Sequence, residues 1–132
     1  MEANKDKTMM EVQAVLDKMY PHGHPMFNDL CNDIMALHSK KNHDYARGGS
    51  PLGNFERVGA IQALYPDLDH SDPAIVAMDY MFKQLDSYLW QKNGKFEGNV
   101  EGKIDRLRDV VVYGMICICI EQDKLNKKEC GV

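Results

Sequence analysis

The sequence predicts an all-α protein, a compact bundle of about five helices. Three observations carry that expectation. Apolar residues recur at three- and four-residue spacing along most of the chain. Glycine and proline gather in a few places between those stretches, around residues 20–25, 48–53, 65–73 and 93–98. The one β-branched run, residues 110–120, continues a helical pattern and leads into Glu121-Gln122-Asp123-Lys124, which favours a helix over a buried strand.

The first helix is expected over residues 8–19 and is stopped by Tyr20-Pro21-His22-Gly23-His24-Pro25. The second runs over 26–41, with Phe27, Leu30, Cys31, Ile34 and His38 on one face and Asp29, Asn32 and Asp33 on the other. His38, in the middle of that apolar stripe, reads as a hydrogen-bonded core residue. Residues 42–53 read as a long polar loop, since they hold three glycines and a proline. A short third helix covers 54–64. Ser71-Asp72-Pro73 begins the fourth, with serine as cap, an acid in the first turn and an early proline. That helix ends near Lys92, before Asn93-Gly94, and its core stripe is Ile75, Met78, Phe82, Leu85 and Leu89. The fifth covers 100–126, with Ile104, Leu107, Val111 and Met115 turned inward. Its second half, Val-Val-Val-Tyr-Gly-Met-Ile-Cys-Ile-Cys-Ile, is apolar on all sides, the mark of a helix surrounded by protein, here in a homodimer or homotetramer.

A chain of 132 residues, 44% hydrophobic and 27% charged, suits a single domain over 1–132: an N-terminal helix and linker (1–25), a helical core (26–126) and a tail (127–132). The net charge of −4 disfavours duplex nucleic acid, whose backbone needs a basic surface. A metal-bridged phosphate tolerates that charge, because the cation reverses its sign locally. Cys31, Cys117, Cys119 and Cys130 form no paired zinc spacing and fit a reducing compartment. The charged N-terminus holds no apolar signal core, and the run 110–120 is too short to span a bilayer. The expected location is the cytoplasm, without membrane attachment. No Walker loop, dinucleotide fingerprint or nucleophile elbow occurs.

Three constellations offer chemistry. Glu101, Asp105, Asp109 and Tyr113 are spaced four apart, so a helix would stack three acids on one face. Mg²⁺ would relieve their repulsion, since it takes one or two carboxylates plus phosphate oxygens and water. The other reading is a solvated acidic flank balanced by Lys103, Arg106 and Arg108. On the fourth helix, Asp79, Lys83, Asp86 and Trp90 form a second stripe. It is either an intrahelical Asp79–Lys83 pair or a lysine facing a phosphate. The segment His43-Asp44-Tyr45-Ala46-Arg47, with Asn54-Phe55-Glu56-Arg57, concentrates acids, arginines and aromatics. Arg47 and Arg57 suit phosphate oxygens, and Tyr45 or Phe55 suits a stacked base. An ordinary loop anchored by its aromatics fits as well.

In order along the chain, Asp44-Tyr45-Ala46, Asn54-Phe55-Glu56-Arg57, Met81-Phe82-Lys83 and Asp105-x-Leu107-x-Asp109-x3-Tyr113-Gly114 resemble a group of small phage and prophage proteins related to the MazG-like, all-α nucleoside triphosphate pyrophosphohydrolases. The resemblance covers roughly residues 28–120. It implies a dimeric or tetrameric helical bundle that binds nucleotides through Mg²⁺ and cleaves between the α- and β-phosphates. Asp105 and Asp109 would match the later acidic motif, with Glu101 a further metal ligand. Lys83 would be a phosphate contact, and Asp44 and Glu56 would supply the earlier acids. Tyr45, Arg47, Asn54, Phe55, Arg57 and Tyr113 would line the substrate site. One departure stands out: the early Glu-x-x-Glu pair of such enzymes is missing, and Asp29 and Asp33 lie on the back of their helix. Three functions follow as expectations: a Mg²⁺-dependent nucleotide pyrophosphohydrolase, a nucleotide-binding protein without turnover, or a helical interaction module.

Overall fold

The computed structural model describes residues 2–131, with side chains from Asp6 onward. It is all-helical among those residues: α1 (Glu2–Met19), α2 (Phe27–Ala46), α3 (Gly53–Gln62), α4 (Pro73–Gly94) and α5 (Lys103–Glu129). The chain divides into two compact units between Asn42 and His43, inside α2.

In the first unit α1 and α2 meet through polar atoms. The Asn32 side chain is buried and donates to the Met9 carbonyl (3.4 Å) and to the Gln13 amide oxygen (3.3 Å). Asn28 donates to Asp17 and to the Tyr20 carbonyl, both at 3.1 Å, and so closes the turn between the helices. Periodicity had put Asn32 on the outer face; the structure turns that face toward α1. Phe27, Leu30 and Ile34 are exposed as a result, and so is His38, which is no core residue here.

The second unit is built on the α4–α5 hairpin, with α3 against α4. The α4 cap is Asp72, one residue later than the serine expected: its carboxylate accepts from the Ala74 amide (2.9 Å), and Pro73 follows at the first helical position. Ser71 is bonded to Asp69 instead. Asn93 and Gly94 stay helical, and Lys95 makes the stop in the left-handed region (φ 55°). Likewise α2 continues through Asp44-Tyr45-Ala46, a stretch read above as loop. It holds neither glycine nor proline, and the helix breaks only where Arg47 (φ 41°) and Gly48 (φ 84°) turn left-handed.

The two long helices approach through small residues. Ala74, Ala77 and Cys117 are buried, and the Cys117 thiol lies 3.5 Å from the Ala74 carbonyl. Tyr80 stacks on Tyr113 (centroids 5.6 Å apart), Gln84 meets Arg106, and Lys124 closes the far end on Asp72 (2.6 Å). The face of α5 that meets α4 therefore carries Arg106, Tyr113, Cys117 and Lys124. The stripe expected inward lies on the other side: Ile104, Val111 and Met115 are 59–62% exposed, and Leu107 is exposed as well. On α4 the stripe Ile75, Met78, Phe82 and Leu85 is only half-buried, and Leu89 is exposed. The physical reason is helix spacing. Alanine and cysteine let the backbones come close at one end, and the polar and aromatic pairs Gln84–Arg106 and Tyr80–Tyr113 fill the rest of the contact, so the aliphatic stripe falls on another face.

Substituting Ala77 with leucine should force the hairpin apart. The expected loss is about 1–3 kcal/mol, the usual cost of overfilling a packed contact, measured as a lower urea midpoint at unchanged slope.

Candidate functional site

Part of the polar set singled out above, namely Asp44, Tyr45, Arg47, Arg57, Asp86, Trp90 and Glu101, converges at one end of the second unit, where the end of α2, the start of α3, the C-terminal half of α4 and the start of α5 meet. At the centre is Arg106, only 4% exposed. Its guanidinium donates to the Gln84 side-chain oxygen and pairs with Glu101, each at 2.7 Å, and lies 5.4 Å from the centre of the Tyr45 ring. A second arginine, Arg57 of α3, forks onto Asp86 of α4 with bonds of 2.7 and 2.9 Å while stacking 4.0 Å above Trp90. That carboxylate holds the Arg57 pKa above its ordinary value, against the opposing effect of burial. A third, Arg47, lies 4.4 Å over Phe96, donates to the Glu97 carbonyl (3.2 Å) and reaches Asp44 at 3.5 Å.

The connection between α4 and α5 is fastened at nearly every residue. Gln91 donates to the Glu101 carbonyl and accepts from the Gly98 amide; Lys103 donates to the Phe96 carbonyl, and its backbone amide donates to Glu97. A side chain at Gly98 would overlap the Glu101 carbonyl, so only glycine fits there. Asp44, buried at the end of α2, accepts from the Val100 amide at 2.7 Å. Burial by itself would raise the Asp44 pKa. Hydrogen bonds from the Val100 and Asn99 backbone outweigh that, helped by Arg47 and His43, and hold it below the usual carboxylate value.

The acids expected to share one face are separated. Glu101 precedes α5, whose cap is Gly102, so it leaves the helical stack and neutralises Arg106. Asp105 accepts from the Gly102 amide (3.3 Å) and lies 3.6 Å from Arg108, with both side chains well exposed. Asp109, half-buried, makes no ion pair among the described residues. No group of three His, Cys, Asp or Glu side chains among them lies close enough to hold a metal ion. Asp105 and Asp109 remain one turn apart on α5, a pair that matches the one or two protein carboxylates Mg²⁺ takes when phosphate and water supply the rest.

The expected Asp79–Lys83 pair does not form. Asp79 accepts from Gln62 of α3, and Lys83 is exposed with no ion pair among the described residues. Lys83 lies between Tyr80 and Gln84; Asp109 lies between Arg106 and Tyr113. The Tyr80–Tyr113 and Gln84–Arg106 contacts thus bring Lys83 and Asp109 to one level of the hairpin. Glu56, in the first turn of α3, is exposed and accepts from Ser50 (3.3 Å). Phe55 is 71% exposed, Asn54 half-buried, and Tyr45 half-buried beneath Arg106.

Arg47 and Arg57, expected to meet phosphate, are thus committed to the protein's own acids and rings. Sequence reasoning missed Arg106 as the centre and gave Gln84, Gln91 and Glu97 no role. Arg106 lies opposite the apolar stripe of α5, where a charge reads as solvated. The two glycines of Phe96-Glu97-Gly98-Asn99-Val100-Glu101-Gly102 were the available signal for a close-fitted connection.

Asp44 gives a pH test. Its folded pKa lies below the ordinary value of 3.8, so its stabilisation is complete above that value and is lost as the pH falls through the folded pKa. Asp44→Asn should be less stable than wild type at pH 7, and the gap should narrow below about pH 4 when urea unfolding is followed at both. Compared with family models, curated proteins and solved structures, the chain matches none.

Proposed function

We propose that the protein binds a nucleotide through Mg²⁺ on the flank of the α4–α5 hairpin, in the manner of MazG-like nucleotide pyrophosphohydrolases. The observation that carries this reading is the level shared by Lys83 and Asp109. These are an uncommitted cation and an uncommitted acid beside a stacked tyrosine pair, in a unit whose buried arginines are already neutralised. Asp105 and Asp109 would hold the metal, which neutralises phosphate charge and polarises phosphorus toward water. Lys83 would take the phosphate oxygens, and the exposed ring of Phe55 is free to stack on a base. Glu56 is the exposed acid left to orient water. A nucleotide at one hundred times its dissociation constant should add about 2.7 kcal/mol, a shift of several degrees in the melting temperature. That shift should require Mg²⁺ and vanish in Lys83→Ala and Asp109→Ala; a panel of nucleotides that leaves melting unmoved overturns the reading.

Turnover is a separate question. The missing Glu-x-x-Glu pair and the diversion of Glu101 to Arg106 favour a second reading, binding without cleavage. Nucleotide recovered intact after denaturation supports that reading; recovered monophosphate and pyrophosphate supports the enzyme. If neither metal nor nucleotide binds, a helical interaction module is left.

The same proposal includes self-association. Ile104, Leu107, Val111, Met115 and Ile118 follow a three-four spacing, the seam pattern of packed helices. Among the described residues the only buried apolar side chains are Ala46, Ala74, Ala77 and Cys117, with no large side chain fully enclosed. A second copy would complete this core. Light scattering should give a dimer or tetramer mass for the wild type and a smaller mass for Val111→Asp; a wild-type monomer would exclude the assembly.

A further inference from the structure

Between α2, α4 and α5 lies a cavity of about 10 Å³, bordered by Asp44, Asp86, Ser87, Trp90 and Arg106 among others. That volume holds one water-sized molecule. Three polar atoms of the bordering residues are buried without a hydrogen-bond partner among the described residues: Ser87 Oγ, Trp90 Nε1 and Arg106 Nε. Ser87 and Arg106 are more than nine-tenths buried as residues. Uncompensated burial of such atoms is rare, and three around one cavity call for a shared partner.

The chemistry of the border selects that partner. The Trp90 indole and the Arg106 Nε can only donate, so the molecule between them must accept two hydrogen bonds. Asp44 and Asp86, carboxylates already held by Arg47, Val100 and Arg57, border the same space as acceptors, so a molecule that can also donate suits it and an anion does not. A halide satisfies the first requirement and is repelled by the second. An ammonium ion satisfies the second and has nothing to offer the two N–H groups. We propose that the cavity is a binding site for one water molecule. It accepts from Trp90 Nε1 and Arg106 Nε, and donates to Ser87 Oγ and to a carboxylate oxygen of Asp44 or Asp86. This water completes the hydrogen bonding of Arg106, whose other polar partners are Gln84 and Glu101. The proposal does not depend on nucleotide binding.

Trp90 is the only tryptophan, so its indole N–H gives a single resonance in the full-length protein. In paired NOESY and ROESY spectra that proton should show a cross-peak to water of opposite relative sign in the two, the signature of a bound water and not of proton exchange. The peak should persist in Ser87→Ala, which keeps both N–H donors, and disappear in Ser87→Val, whose methyl groups fill the space. Absence of the peak in the folded wild type overturns the site. Loss in Ser87→Ala does the same, since it assigns the signal to relay through the hydroxyl. A bromide titration that moves the indole resonance would assign the cavity to an anion and equally overturn it.

Discussion

A guanidinium taken out of water must be paired at once, because a buried charge without compensation costs more than most single contacts supply. Arg106 imposes that demand on the second unit. Glu101 answers its charge, Gln84 accepts from it, and Tyr45 lies beside it. Each answer fixes a different element: the connection before α5, the middle of α4 and the end of α2. Losing Glu101 or Gln84 would leave the same cation short of an acceptor, and losing Tyr45 would remove the ring beside it, so the three positions are coupled.

The remaining polar contacts extend that arrangement. Asp44 holds the connection through the Val100 amide, Gln91 holds it at both ends, and Arg57 fastens α3 to α4 through Asp86. These arginines also lie against aromatic faces, which lets a cation be half-buried at little cost. The consequence for chemistry is negative and useful. Side chains that look like phosphate clamps in the sequence are engaged within the chain, Arg47 by Asp44 and the Glu97 carbonyl and Arg57 by Asp86. Lys83 and Asp109 keep free valence, and they share a level because two neighbouring contacts set the hairpin register.

Both units share a less usual feature. Where two helices meet, the contact is polar or made of small residues, and the large apolar side chains face away. Asn32 lies between α1 and α2; Ala74, Ala77 and Cys117 lie between α4 and α5. An apolar stripe open to water is unfavourable by tens of calories per square ångström, so a long one points to a partner surface. For α5 the heptad-like spacing favours a second helix of the same kind, which is why self-association belongs with the proposed function.

The sequence by itself determined the helical class, the number of helices and most of their ends. These depend on spacing and on local breakers, and both are written in consecutive residues. It also marked Asp105 and Asp109, one turn apart by helical geometry alone, and Lys83, whose level beside Asp109 is set by the contacts between α4 and α5. Where only one residue could tell, it was less exact: the α2 end needed the left-handed Arg47, and the α4 cap needed Asp72 in preference to Ser71. Tertiary structure alone decided which face of each helix meets its neighbour. A hydrophobic stripe says that something apolar will cover it, not whether that cover lies in the same chain. Tertiary structure alone also decided that Glu101 would pair with Arg106, because that depends on a helix beginning two residues later, where the Gly98 connection lets the chain turn.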